Sequence, residues 1–175
     1  RFRQILDAGG GSGGLALELA KLCPKSSTTV AELPSVAAIA RRQILENDVS
    51  GRVDVVESDL TGQEGLGMTY DAIVIRSVIQ VLGVTDVLAL VNNVSEALNQ
   101  YGEIFVVGRV LENDRLNPPE AVAANVMFLN VYVNGQAYTL NEYEDWFAQR
   151  GLRLEDKQAL TGGYTMLQFV KRLKR

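Results

Sequence analysis

One stretch of this chain has the residue types and spacing to meet an anionic or nucleotide-like ligand: Asp7-Ala8-Gly9-Gly10-Gly11-Ser12-Gly13-Gly14. Gly9, Gly11 and Gly14 satisfy G-x-G-x-x-G, and Gly9, Gly11 and Gly13 satisfy G-x-G-x-G. Both spacings have the same physical meaning. Residues without a Cβ permit a tight turn from strand to helix and let a ligand approach the backbone. The start of the helix then presents unpaired N–H groups. Two acids follow. Glu32 stands 18 residues beyond Gly14, and Asp59 lies in Glu57-Ser58-Asp59-Leu60. A carboxylate at the first position can accept hydrogen bonds from ribose hydroxyls. The second can face an adenine edge or, alternatively, cap the following turn. The chain contains no histidine. Ser-His-Asp, Cys-His and histidine-based metal chemistry are therefore excluded within this polypeptide, and no metal site is expected.

The elements that must position these residues alternate between strand and helix. Strands are predicted at Gln4 to Ala8, Thr28 to Glu32, Val53 to Glu57, Asp71 to Ile75, and within Gly102 to Val110. Helices are predicted from Gly13 to Leu22, with Leu15, Leu19 and Leu22 at helical spacing, and from Pro34 to about Asn47. Further helices are expected from Thr85, as a cap, to Asn99, from Asn117 to Val131, and from Asn141 to Arg150, ended by Gly151. Such alternation implies a parallel sheet with helices on both faces and right-handed crossovers. Leu152 to Leu160 and Thr165 to Val170 flank Gly162-Gly163 and read as an antiparallel pair closing the sheet. The expected fold is α/β, a Rossmann-like, seven-stranded, mostly parallel sheet with that pair at its C-terminal end. Trp146 and Phe147 are expected in the core.

The 175 residues suffice for one domain with a sizeable core, and 47% apolar with 22% charged residues is an ordinary globular balance. No apolar run approaches the roughly 18 residues of a membrane span. The formal net charge is −4 and the basic residues are dispersed, except in the tail Lys171-Arg172-Leu173-Lys174-Arg175, read as a solvated end. Neither a nucleic-acid nor a membrane partner is expected. The single Cys23 cannot form an internal disulfide, which fits a reducing, cytoplasmic setting, and it is read as a buried thiol in a helical stretch. Arg1-Phe2-Arg3-Gln4 runs straight into a strand, which suggests a domain of a longer chain.

The motifs, taken in order, resemble the class I small-molecule O-methyltransferases, the group of plant phenolic and bacterial polyketide enzymes. Asp7-Ala8-Gly9-Gly10-Gly11-Ser12-Gly13, then Glu32-Leu33-Pro34, then Ser58-Asp59-Leu60, and finally Thr139-Leu140-Asn141-Glu142-Tyr143 follow that family's pattern. The resemblance implies S-adenosylmethionine as cofactor. Asp7, Gly9, Gly11 and Gly13 would lie beside its amino-acid part, Glu32 and Leu33 at the ribose, Asp59 and Leu60 at the adenine, and Arg76 near the cofactor. Arg76 could instead simply end its strand. Asn125, Met127, Phe128 and Asn130 would line the pocket of a small-molecule methyl acceptor, although Met127 and Phe128 fit a plain core equally well. Relatives usually carry an N-terminal helical dimerisation domain, so a homodimer is expected of the full-length protein.

The resemblance breaks where protons are handled. The family places a histidine base just after the fourth strand, and Gln80 stands there. Gly108 stands where an acid often follows the fifth strand, and Ala137 or Tyr138 where a second glutamate precedes the threonine. A glutamine donates and accepts hydrogen bonds but is no base near neutral pH. General-base catalysis contributes roughly 10²–10⁴-fold, whereas alignment of reactants can supply effective molarities of roughly 10⁵–10⁸ M. Three expectations stand side by side: a methyltransferase working by positioning, an S-adenosylmethionine-binding protein without methyl transfer, and a nicotinamide-dependent oxidoreductase.

Overall fold

The computed structural model of the chain describes residues 1–49 and 51–171. Arg172 to Arg175 of the basic tail lie outside the described residues. Among the described residues, nine strands and five α-helices follow one another: β1 Gln4–Ala8, α1 Gly14–Leu22, β2 Ser27–Glu32, α2 Pro34–Glu46, β3 Val53–Glu57, β4 Tyr70–Arg76, α3 Val84–Glu96, β5 Leu98–Gly108, β6 Val110–Leu111, α4 Pro119–Val131, β7 Tyr138–Thr139, α5 Leu140–Ala148, β8 Leu152–Ala159 and β9 Thr165–Lys171. A 3₁₀ turn, Ile79–Val81, joins β4 to α3.

Seven strands form one sheet in the order β3-β2-β1-β4-β5-β9-β8. β1 to β5 pair in parallel, and β9 lies antiparallel between β5 and β8. The central strands are apolar on both sides, as a doubly covered parallel sheet requires. Successive residues of β2 show the two faces. Val30 packs with Ala16, Ala20, Ala40 and Ile44 of α1 and α2. Ala31 packs with a larger core that contains Val87, Leu90 and Val91 of α3 and Tyr143, Trp146 and Phe147 of α5. β8 forms the outer edge, and its run Arg153-Leu154-Glu155-Asp156-Lys157 keeps that edge charged.

The chain builds β1, β2 and β3 outward in one direction, then returns to lay β4 on the other side of β1. The turns leaving β1 and β4 therefore diverge, and a crevice opens at the carboxyl ends of these strands, where ligands bind in open α/β sheets.

Several boundaries differ from expectation. Thr85 is not the cap of α3; extended Gly83 holds that place and Thr85 lies in the first turn. α3 stops at Glu96 because Leu98 pairs with Tyr70 of β4, so β5 claims residues that follow a helical pattern. α4 begins at Pro119 behind Pro118, and α5 begins at Leu140 behind Thr139, whose side chain forms a reciprocal capping box with Glu142. Cys23 lies at the C-terminal cap of α1, where its N–H donates to the Leu19 carbonyl, and is only half-buried. The short parallel pair of β6 and β7 has no counterpart in the sequence reading.

Candidate functional site

The glycine turn begins directly at the end of β1. Gly9, Gly11 and Gly13 have φ of 70°, 62° and 84°, left-handed values that favour glycine. Gly9 also permits a close approach: a Cβ there would stand 2.5 Å from Cγ2 of Val78, in the segment leaving β4. Gly13 serves as the N-terminal cap of α1 without any side-chain help. The first N–H groups of that helix have no intrahelical partner.

Asp7 lies beneath this turn. It is 1% exposed and its Oδ2 has no hydrogen-bond partner. A Cβ on Gly10 would stand 2.4 Å from that oxygen, so the absence of a side chain there makes room for the carboxylate. Burial pushes the Asp7 carboxyl up to about 6; the Arg76 guanidinium pulls it down and the nearby Glu32 carboxylate adds to the rise. Glu32, at the end of β2, ties the crevice together. Its Oε1 accepts from the Gly11 N–H and its Oε2 from the Leu33 N–H, both at 2.9 Å. Each oxygen retains acceptor capacity for a further donor. Asp59 follows β3 and does cap the next turn: Oδ1 accepts from the Thr61 N–H and hydroxyl at 2.9 and 2.7 Å. These bonds hold its carboxyl below the usual carboxylate range.

Gly9, Glu32, Leu33, Asp59 and Leu60 line a single cleft of about 440 Å³, a size suited to a cofactor. Leu60 is buried and Leu33 half-exposed. Arg76 ends β4 exposed and reaches the cleft only through its field on Asp7. The far wall consists of Ser77, Val78, Val81, Leu82 and Leu90, none of which the motifs indicated. Ser77 has φ of 59°, an uncommon value for a non-glycine residue, and its N–H donates to Val107 on β5. That left-handed kink swings Val78 back over Gly9. No residue spacing announces it; a serine directly after an apolar strand was the only trace.

Gln80 sits in the 3₁₀ turn at 4% exposure and does not line this cleft. A Cβ on Gly108 would stand 3.0 Å from its Oε1. Ala137 is fully buried beside Leu111, Ala121 and Phe128. Asn125 Oδ1 accepts from the Ala137 N–H, Asn130 donates to the Val126 carbonyl within its own helix, and Met127 is 51% exposed. Of the four acceptor-facing candidates, Phe128 thus packs in a small core and both asparagines are engaged within the protein. Trp146 and Phe147 are buried as expected. The Thr139-to-Tyr143 segment acts as a helix start, with Thr139 and Glu142 in the capping box and Tyr143 buried.

The chain is 28% identical to a 3-hydroxy-5-methyl-1-naphthoate 3-O-methyltransferase of Streptomyces sahachiroi, over 85% of this chain and 43% of that protein. It is 29% identical to the aclacinomycin 10-hydroxylase RdmB of Streptomyces purpurascens, over 95% of this chain and 44% of that one. The chain therefore spans less than half the length of these relatives. An O-methyltransferase family protein from Burkholderia thailandensis shares the fold with a TM-score of 0.89 at 18% identity, over 98% of this chain and 51% of that chain. With Gly9, Glu32 and Asp59 lining one cleft and residues 1–153 matching the O-methyltransferase domain, the chain belongs to the O-methyltransferase domain family.

Proposed function

We propose that this chain is the S-adenosylmethionine-binding domain of a methyltransferase acting on a small molecule. The observation that carries the reading is the meeting of Gly9, Glu32 and Asp59 in one cleft, with Glu32 bonded to the Gly11 N–H, at the point where the sheet order reverses. The residues fit the donor. The three left-handed glycines leave backbone room for its amino-acid part, and the unpartnered, buried Asp7 oxygen supplies negative charge for an ammonium. Glu32 retains acceptor capacity for ribose hydroxyls, Leu33 and Leu60 offer apolar contact, and Asp59 stands at the expected adenine end. The bound donor supplies an electrophilic methyl group on a sulfonium. The protein's contribution is then to hold an acceptor in line with that methyl and to exclude water.

Asn125, Met127, Phe128 and Asn130 remain the proposed acceptor-side residues, with Met127 the one whose side chain is available without disturbing a bond or the core. α4 also exposes Val126, Leu129 and Val131. That apolar face supports a larger, homodimeric protein of which this chain is one domain. A cytoplasmic setting is proposed on the same reading. Calorimetric titration with S-adenosylmethionine, followed by label transfer to phenolic, enolic and amine acceptors, tests the function. Binding with transfer supports it; no binding overturns it.

A second reading, binding of S-adenosylmethionine without methyl transfer, is favoured by the buried amide at Gln80 and by the relative named as a hydroxylase. Tight binding with no formation of S-adenosylhomocysteine would select it. The nicotinamide alternative finds less support, since the sheet ends in the antiparallel order β5-β9-β8. Unchanged fluorescence of reduced nicotinamide on mixing would dispose of it.

A further inference from the structure

The turn after β3 forms the proposed base end of the donor cleft, and what anchors it comes from a helix well downstream in the chain. Within the turn, Asp59 Oδ1 accepts from the Thr61 N–H and hydroxyl, and the Gly62 N–H donates to the Asp59 carbonyl at 3.0 Å. These bonds are local. They fix the curl of residues 59–62 but not where that curl stands against the sheet. α3 supplies the anchor. Asn93 Nδ2 donates to the Leu60 carbonyl at 2.9 Å and to the Gly62 carbonyl at 2.8 Å. An amide nitrogen carries two N–H donors, so the two bonds use all of its capacity. They grip the turn on both sides of Thr61. The amide oxygen points elsewhere and accepts from Asn92 Nδ2 at 3.3 Å.

The same helix also supplies a wall of the cleft. Leu90 stands one turn before Asn93, where residues three apart share a face. It is fully buried and lines the cleft together with Leu60. Leu60 and Leu90 pack in one core. α3 therefore meets the cleft directly through Leu90 and holds its base end through Asn93. The consequence falls on Asp59. Both side-chain bonds it makes in the turn fall on Oδ1, and Oδ2 accepts no hydrogen bond among the described residues. A carboxylate oxygen left open in this way accepts from an amino group and repels a carbonyl oxygen. Asp59 is joined to Asn93 only through the backbone of residues 60–62, so its aim depends on how firmly that backbone is clamped.

We propose that Asn93 is a positioning residue for donor recognition: by clamping the Leu60 and Gly62 carbonyls to α3 it fixes where Asp59 and Leu60 meet the base, and so sets a preference for a 6-amino over a 6-oxo purine. This rests on the S-adenosylmethionine reading above. The amide is required for its donors and not for its shape. Asn93→Asp is nearly isosteric, yet its carboxylate has no N–H and would set an oxygen against two carbonyl oxygens. Asn93→Ala removes the donors without that repulsion and keeps a strong helix former in α3. In either variant the turn is released from the helix and Asp59 loses its aim.

The test titrates the full-length protein calorimetrically with S-adenosylhomocysteine and with S-inosylhomocysteine, which differ only at position 6 of the purine. The wild type should bind the adenine ligand about 10-fold or more tightly, the effect of one hydrogen bond to a charged group. Asn93→Asp and Asn93→Ala should bring the two affinities within about 3-fold of each other. Glu96→Ala, at an exposed position one turn further along α3, should keep the wild-type preference. The ratio of the two affinities is read from the folded molecules alone, so a loss of folded protein does not move it and a change in geometry does. If Asn93→Asp fails to fold, Asn93→Ala carries the test. A folded Asn93 variant that keeps the wild-type preference, a Glu96→Ala protein that loses it as fully, or a wild type without any preference overturns the proposal and leaves the S-adenosylmethionine reading standing. A wild type that does not bind S-adenosylhomocysteine overturns both.

Discussion

The two sides of the β1–β4 crevice are built on different principles. The proposed cofactor side is polar and made largely of backbone, with left-handed glycines, the start of α1 and the carboxylates of Glu32 and Asp59 after β2 and β3, while Asp7 of β1 lies buried beneath the turn. The proposed acceptor side is apolar and made of side chains, with one buried amide and no ionisable group at positions 80, 108 or 137. A backbone-built site tolerates little change, because its geometry is set by φ and by the absence of Cβ atoms. A side-chain-built site can be rewritten residue by residue while the sheet stays as it is.

The comparison can be broken most directly at Gly9. Gly9→Val imposes a β-branched residue on a left-handed φ and drives a Cβ to 2.5 Å from Val78. Strain and overpacking of about 2 kcal/mol each predict a loss in S-adenosylmethionine affinity of about 1000-fold, read by calorimetry. Affinity within 10-fold of wild type would show that the turn is not the donor's seat.

Asp7 gives the next largest effect, with opposite signs in stability and binding. Burial raises its folded-state value from 3.8 to about 6, so the folded chain keeps a proton that the unfolded chain has already released between those values. Stability from this group is present at low pH and falls as pH rises to about 6. Asp7→Asn should therefore be more stable than wild type at pH 7, by up to about 3 kcal/mol, with the difference closing below about pH 4. Its affinity for the cationic donor should fall. Denaturant titrations at pH 4 and 7 check the first point; a variant less stable than wild type at pH 7 contradicts it.

At Glu32, neutralisation is milder. Glu32→Gln keeps the shape but leaves one acceptor oxygen for the two N–H groups of Gly11 and Leu33, so one of these bonds is lost, with a predicted drop of about 10-fold in donor affinity and little change in the KM of the acceptor. The reverse split, acceptor KM altered and donor affinity intact, would move the boundary between the two sides. The smallest effect belongs to the acceptor side. Met127→Ser on the exposed face of α4 should change stability by no more than about 0.5 kcal/mol, while raising acceptor KM in the full-length enzyme. A large fall in melting temperature would mean that Met127 is covered in the whole protein.

Much of the cofactor side is legible in order along the chain, because strand, glycine turn and helix are neighbours in sequence and their hydrogen bonds are local. β1 and β3 lie where the alternating pattern places them, and the antiparallel pair flanks Gly162-Gly163 as read. The opposite wall is different. Val78, Val81, Leu82 and Leu90 belong to the β4–α3 segment, and they reach the donor cleft only because β4 lies next to β1 in the sheet and Ser77 kinks the chain at φ of 59°. An apolar run carries no mark of which cavity it will line. The end of α3 illustrates the same limit: Leu98 suits a helix locally, but pairing with Tyr70 draws it into β5.

The residue types alone determined that this chain has a glycine turn with two matched acids, no histidine, and an alternating α/β pattern, because composition and short-range spacing are properties of the chain itself. Only the tertiary structure decided that Asp7 is buried without a partner, that Glu32 bridges the glycine turn to α2, and that Gln80 sits in the space a side chain at Gly108 would have filled. Those outcomes depend on which distant strands meet and on what burial does to a charge, and neither is a property of any single stretch of sequence.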